Sequence, residues 1–125
     1  MVITLARIDT AEREGACEPA LDWLREKPRT VRELIKERPA YAAWALSIRG
    51  FLDLIDDDEL ELLARARPGS TLANACDRIS ADTFDYCVAA RPWTALMHAK
   101  HRMSRKQIAY CEKHGGTTAI NSRIS

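Results

Sequence analysis

A chain of 125 residues with 46% apolar content is long enough to bury one ordinary core, and its 30% of charged residues nearly cancel, to a formal net charge of +1. This balance excludes the apolar-poor, strongly charged composition of a disordered chain and gives no overall basic bias toward nucleic acid. Apolar runs such as Tyr41 to Leu46 are far shorter than a bilayer span, and no basic stretch followed by a long apolar one opens the chain, so neither membrane nor export signal is expected.

At the amino end, Val2, Thr4 and Ala6 alternate with Ile3, Leu5 and Arg7. That pattern leaves the type of residues 1–8 open between helix and strand. Glu18-Pro19 with Ala20, Leu21, Trp23 and Leu24 predicts a short helix that ends before Pro28 and caps the helices downstream. Thr30-x-x-Glu33 ahead of Leu34 carries the residue types of a capping box, and this segment stops at Arg38-Pro39.

From Ile55 the chain repeats itself. Residues 55–68, ending in Arg67-Pro68, align without gaps on residues 79–92, ending in Arg91-Pro92, a period of 24 residues. A further period places Met103, Ile108 and Cys111 on Ile79, Phe84 and Cys87. Asp56, Ser80 and Ser104 are helix N-cap types, with Glu59 and Gln107 three positions on to complete capping boxes and Thr83 in that place in the middle copy. Leu60, Leu63 and Ala64, then Phe84, Cys87 and Val88, fit the i, i+3, i+4 spacing of an inward helix stripe. Proline after arginine ends that helix and suits the first turn of a new one, whose inward positions are Leu72, Ala75 and Cys76, then Leu96 and Ala99.

Each unit therefore reads as a hairpin of short helices, and helices of about ten residues need stacking to be stable. The expected fold is all-α: a short α-solenoid, or helical-hairpin repeat bundle, of about seven or eight short helices in a single domain. Its parts are an N-terminal segment at 1–17, a degenerate first unit at 18–53, repeat units at 54–78, 79–102 and 103–116, and a tail at 117–125. Glu112 stands where Ala64 and Val88 continue the stripe, so the stack is expected to stop there. Beyond Gly115-Gly116, the tail has no helical period and reads as a frayed segment or a short strand.

Asp82-x-Phe84-x-x-Cys87-Val88 together with Pro92-Trp93-Thr94-Ala95-Leu96 and Ala99 resembles a class of short helix-hairpin repeats from a bacterial and viral domain of unknown function. The resemblance runs from Asp56 to about His114, with Gly69 and Ala40 replacing the tryptophan in two copies. It implies a scaffold and carries no catalytic residues with it.

Several clusters are candidates for function. Asp53, Asp56, Asp57, Asp58, Glu59 and Glu61 crowd one helix start, where acids complement the helix dipole and can form an electrostatic docking patch. They lack the central glycine and distal glutamate of a calcium loop. Lys100, Arg102, Arg105, Lys106 and Lys113, with Arg123, make the last quarter of the chain basic against Glu112 alone, a patch for an acidic protein face or a phosphate backbone. Tyr86 and Tyr110 align with Leu62 beside the main stripe and are expected to be half-exposed, among aromatics (Trp23, Trp44, Trp93, Tyr41) otherwise assigned to packing.

His98-x-x-His101 with Cys111-x-x-His114 has zinc-ligand residue types, yet Cys111 falls on the core position of Cys87 and Leu63, so a packed thiol and surface imidazoles are expected instead. Ser104-x-x-Gln107 with Ile120 to Ile124 downstream has a loose helix-turn-helix flavour. Cys17, Cys76, Cys87 and Cys111 include no C-x-x-C pair and read as reduced thiols in a cytoplasm. No nucleophile triad, phosphate loop or dinucleotide fingerprint is present in the sequence. The functional expectation is a non-enzymatic protein-interaction module without cofactor, in its narrowest form a mobile-element inhibitor of a host defence complex such as an anti-CRISPR protein. The alternative is a nucleic-acid binder using the basic end, and zinc binding stands third.

Overall fold

The computed structural model describes residues 2–48 and 50–116. The described residues are 75% helical and contain no strand. Among the described residues ten α-helices succeed one another: α1 (Leu5–Arg13), α2 (Glu18–Glu26), α3 (Val31–Glu37), α4 (Pro39–Ala45), α5 (Phe51–Leu54), α6 (Asp57–Ala66), α7 (Pro68–Ala75), α8 (Ala81–Ala90), α9 (Pro92–His98) and α10 (Arg105–Cys111). A 3₁₀ turn (Lys100–Arg102) precedes α10 and a π-helical turn (Glu112–Gly116) comes after it. The described helices exceed the seven or eight expected from the pattern because α1 and the one-turn α5 carry no legible period. The expected tail at 117–125, including Ile120 to Ile124 and Arg123, lies outside the described residues. No helix among the described residues is long and apolar enough to cross a membrane.

Of the open stretch 1–8, residues 5–8 are helical, and no strand precedes them among the described residues. Val2 makes an isolated antiparallel bridge to Thr30, and Ile3 N–H donates to the Arg29 carbonyl at 2.8 Å. Thr4 then caps α1, which buries Ile8 and lies against α2, where Arg25 pairs with Asp9 and Glu12. Trp23 of α2 is stacked by Arg29, 4.1 Å from the ring centre, whose Nε also donates to the Trp23 carbonyl at 3.1 Å; this satisfies a nearly buried guanidinium. Gly50, at φ 88°, caps α5 in a left-handed conformation, and a Cβ there would stand 2.8 Å from the Arg7 guanidinium.

Three arginine-proline joints share one geometry. Arg38, Arg67 and Arg91 have φ of −137°, −138° and −137° with ψ between 62° and 71°, and each N–H still donates to the carbonyl four residues back. The proline after each arginine opens the next helix at its first position, where its missing N–H costs nothing. Around these joints α3 packs on α6, α6 on α8 and α8 on α10, while α4 packs on α7 and α7 on α9.

The helix starts stand where the residue types predict them. Thr30, Asp56 and Ser104 form full capping boxes with Glu33, Glu59 and Gln107. In α8 the third residue is Thr83, too short to reach back. Glu61 of α6 substitutes for it, accepting from Ser80 N–H at 2.8 Å. One period on, Asp85 accepts from the Gln107 amide at 2.7 Å, so this surface position joins each helix to the next cap.

The core keeps the 24-residue period. Leu63, Cys87 and Cys111 are all fully buried, and the cap-flanking Ile55 and Ile79 nearly so. In the second helices the inward set shifts slightly from expectation: Thr71 and Ala95 are fully buried with Leu72 and Ala99, whereas Leu96 is half-buried. Buried Thr71 satisfies its hydroxyl by donating to the Arg67 carbonyl at 3.1 Å.

Candidate functional site

A second periodic device lies in the loops after α5, α7 and α9. Arg78 donates to the Leu52 carbonyl at 2.6 Å and the Ile55 carbonyl at 3.0 Å, and pairs with Asp57 at 3.0 Å. Arg102, one period later, donates to the carbonyl of Cys76, one period after Leu52. The Arg102 guanidinium also lies 4.6 Å above the Phe84 ring. Arg102 is thus half-buried and committed to holding successive loops together, which removes it from the expected basic patch.

Four of that patch remain: Lys100, Arg105, Lys106 and Lys113 are exposed, and among the described residues none pairs with a carboxylate. The acidic patch contracts more sharply. Glu59 is 4% exposed and bound within its capping box to Asp56, which is correspondingly tied up; Glu61 faces the α8 cap and Asp57 faces Arg78. Asp53 and Asp58 are the members left exposed and uncommitted to a helix cap or ion pair among the described residues. Burial by itself would raise the Glu61 carboxyl, but hydrogen bonding from Ser80 and Thr83 outweighs it and holds it below its ordinary range.

Tyr86 and Tyr110 are 41% and 48% exposed, one period apart on α8 and α10. The Arg65 guanidinium lies 4.6 Å over the Tyr86 ring, and the Tyr86 hydroxyl donates to the Arg65 carbonyl at 3.4 Å. On α10, Lys106 and Tyr110 stand one turn apart on the same face, and the Tyr110 ring meets His114 a further turn on, with ring centres 4.6 Å apart. Cation, aromatic and imidazole so form one stripe. Trp44, not singled out as exposed by the sequence, is 41% exposed beside a groove lined by Gly15, Cys17 and Tyr41.

The four residues with zinc-ligand spacing do not converge. Cys111 is buried at the end of α10, while His98 and His101 lie at exposed positions, and no three of the four gather their ligand atoms among the described residues. Among the described residues His101 instead meets Cys76 and Asp77, which local sequence spacing leaves apart from it. The signal for that grouping is the period itself, since 77 and 101 occupy the same place in successive units.

All four thiols are free. Burial pushes the Cys87 thiol up to about 11 and raises those of Cys76 and Cys111 as well. No family model, curated protein or solved structure matches the chain.

Proposed function

We propose that the chain is a non-enzymatic interaction module, a short α-solenoid that binds a protein with an acidic surface. The observation that carries this reading is the exposed stripe Lys106, Tyr110 and His114 beside Tyr86 and Arg65. Tyrosines and arginines of this kind dominate interface energetics when a partner dries them, and unpaired lysines around them speed and orient docking. The solenoid arrangement draws support from the repeated joints, from first helices packed on first helices and second on second, and from the arginine ties between loops. The resemblance to tandem helix-hairpin repeats points the same way. Buried, unpaired thiols suit a reducing compartment such as the cytoplasm.

Affinity capture with the full chain tests the reading. A protein retained by the wild type is lost by Tyr86→Ala with Tyr110→Ala. Lys100→Glu with Lys106→Glu weakens its capture and flattens the dependence on salt. Capture that is unchanged by both pairs overturns the reading. The exposed lysines also favour a second one, nucleic-acid binding, marked by duplex or single-stranded DNA retention whose salt slope falls with each lysine removed. The narrower form, inhibition of a host defence complex by a mobile-element product, is tested by the same capture run against such complexes.

A further inference from the structure

The loops after α7 and α9 bring together three donors of different softness. Cys76 Sγ lies 3.9 Å from His101 Nε2, and the same nitrogen lies 2.8 Å from Asp77 Oδ1. All three donor atoms fall within 4.8 Å of one another, on the wall of a groove that also includes His98 and Asn74. Cys76 is buried and fixed by the end of α7, whereas Asp77 and His101 are exposed and free to adjust.

We propose that Cys76, Asp77 and His101 bind a zinc-type transition-metal ion, leaving its fourth position to water or an outside ligand. Bond lengths of about 2.3 Å to sulfur and about 2.0 Å to nitrogen and oxygen in a tetrahedral site separate sulfur from nitrogen by about 3.5 Å, and nitrogen from oxygen by about 3.3 Å. The two observed spacings to His101 Nε2 therefore need one closure and one opening of up to about half an ångström, and the sulfur–carboxylate pair, within 4.8 Å, closes by movement of the exposed Asp77 side chain. A thiolate and a carboxylate balance the double charge of the ion, and three protein donors with an open position are the donor number of catalytic rather than structural zinc. Arg78 and Arg102, the nearby cations, are engaged by main-chain carbonyls.

The same three residues do not make a nucleophilic relay. In such a relay the acid holds one ring nitrogen and the nucleophile the other. Here Cys76 and Asp77 both face Nε2. Convergence on one point is what a metal ion requires. The site is independent of the docking stripe and stands whether or not a partner binds there.

The test uses the full chain carrying Cys17→Ser, which removes the exposed thiol, stripped of metal under reducing conditions and titrated with Co²⁺. One equivalent is expected to produce a thiolate-to-cobalt charge-transfer band with the visible bands of tetrahedral cobalt, and Zn²⁺ is expected to erase both. Cys76→Ser abolishes the charge-transfer band, while Asp77→Asn and His101→Gln, both at exposed positions where folding is safe, weaken Co²⁺ binding by about tenfold or more. Cys111→Ser and His114→Gln leave it intact. Absence of the band in the parent, wild-type affinity in both Asp77→Asn and His101→Gln, or loss of the band in Cys111→Ser with retention in Cys76→Ser, overturns the assignment.

Discussion

Leu62 and Leu63 are adjacent leucines of α6 with different surroundings, and truncating each to alanine isolates what the repeated core position contributes. Leu63 is fully buried, in a helix that packs on α3, α4, α7 and α8, whereas Leu62 is half-buried beside the core. Removing three carbons from a site enclosed by packed helices leaves a cavity that cannot readily collapse, so Leu63→Ala should cost about 3 kcal/mol. Leu62→Ala, losing only part of its contact with the core, should cost about 1 kcal/mol. With an unfolding entropy of about 2.1 cal/mol/K per residue, a chain of 125 residues gains about 0.26 kcal/mol per degree, so the two variants should melt about 11 °C and about 4 °C below the wild type. Urea unfolding monitored by far-ultraviolet circular dichroism, with equal m-values required for the comparison, measures both. Equal costs for the two leucines, or a Leu63→Ala cost below about 1 kcal/mol, would refute the placement of this stripe at the centre of the core.

Thiol chemistry should separate the four cysteines: Cys17, which is exposed, reacts at once with a thiol reagent, while Cys87 and Cys111, fully buried and held above their ordinary ionisation range, wait for unfolding. Two or more thiols labelled at once in the native chain would contradict this. Because Glu61 is held below its ordinary 4.5, the folded state favours its charged form, so its contribution is present above that pH and is lost as pH falls through the lowered value. Glu61→Gln should flatten the acid limb of stability against pH and leave α8 less protected in hydrogen exchange; an unaltered acid limb counts against the cap role. On the alkaline side, the unfolded Cys87 thiol ionises near 9 while the folded one holds its proton to about 11, so stability should fall through that window and fall less in Cys87→Ala.

What the sequence disclosed was local. Caps at Thr30, Asp56, Ser80 and Ser104 and joints at Pro39, Pro68 and Pro92 depend on residues within one turn, and they stand where the residue types placed them. α1 escaped because it buries little besides Ile8, so it has no apolar stripe to read. α5 is a single turn, too short for a period. Distant contacts were not legible: the Cys76 carbonyl claims Arg102, and His101, expected and found on the surface, meets Asp77 there, whereas Glu59 sits in the cap that its residue type indicated. Local spacing grouped His101 with Cys111 and His114, but stacking of units grouped it with the residue one period upstream, a relation visible only after the period is extended to the loops.

Arg78 and Arg102 repeat the same tie one period apart, and their inequality is a test of how the units depend on one another. Arg78 bonds the Leu52 carbonyl of the preceding unit together with the Ile55 carbonyl and Asp57 at the start of its own, and α8 through α10 lie beyond it. Arg102 bonds one carbonyl, and beyond it among the described residues lie only α10 and the π-helical turn. A hydrogen bond from a charged donor is worth about 1.5–3 kcal/mol. Where stability is a sum of units and nearest-neighbour contacts, weakening an inner contact lowers global stability and weakening the outer one releases the end first. Arg78→Ala should therefore lower the unfolding midpoint of the whole chain. Arg102→Ala should chiefly raise hydrogen exchange in α10, leaving the slowest amides of α6 near their wild-type rates. Equal exchange increases in α6 and α10 for both variants would mean that the helices unfold as one indivisible core, and the interaction between units would have to be argued afresh.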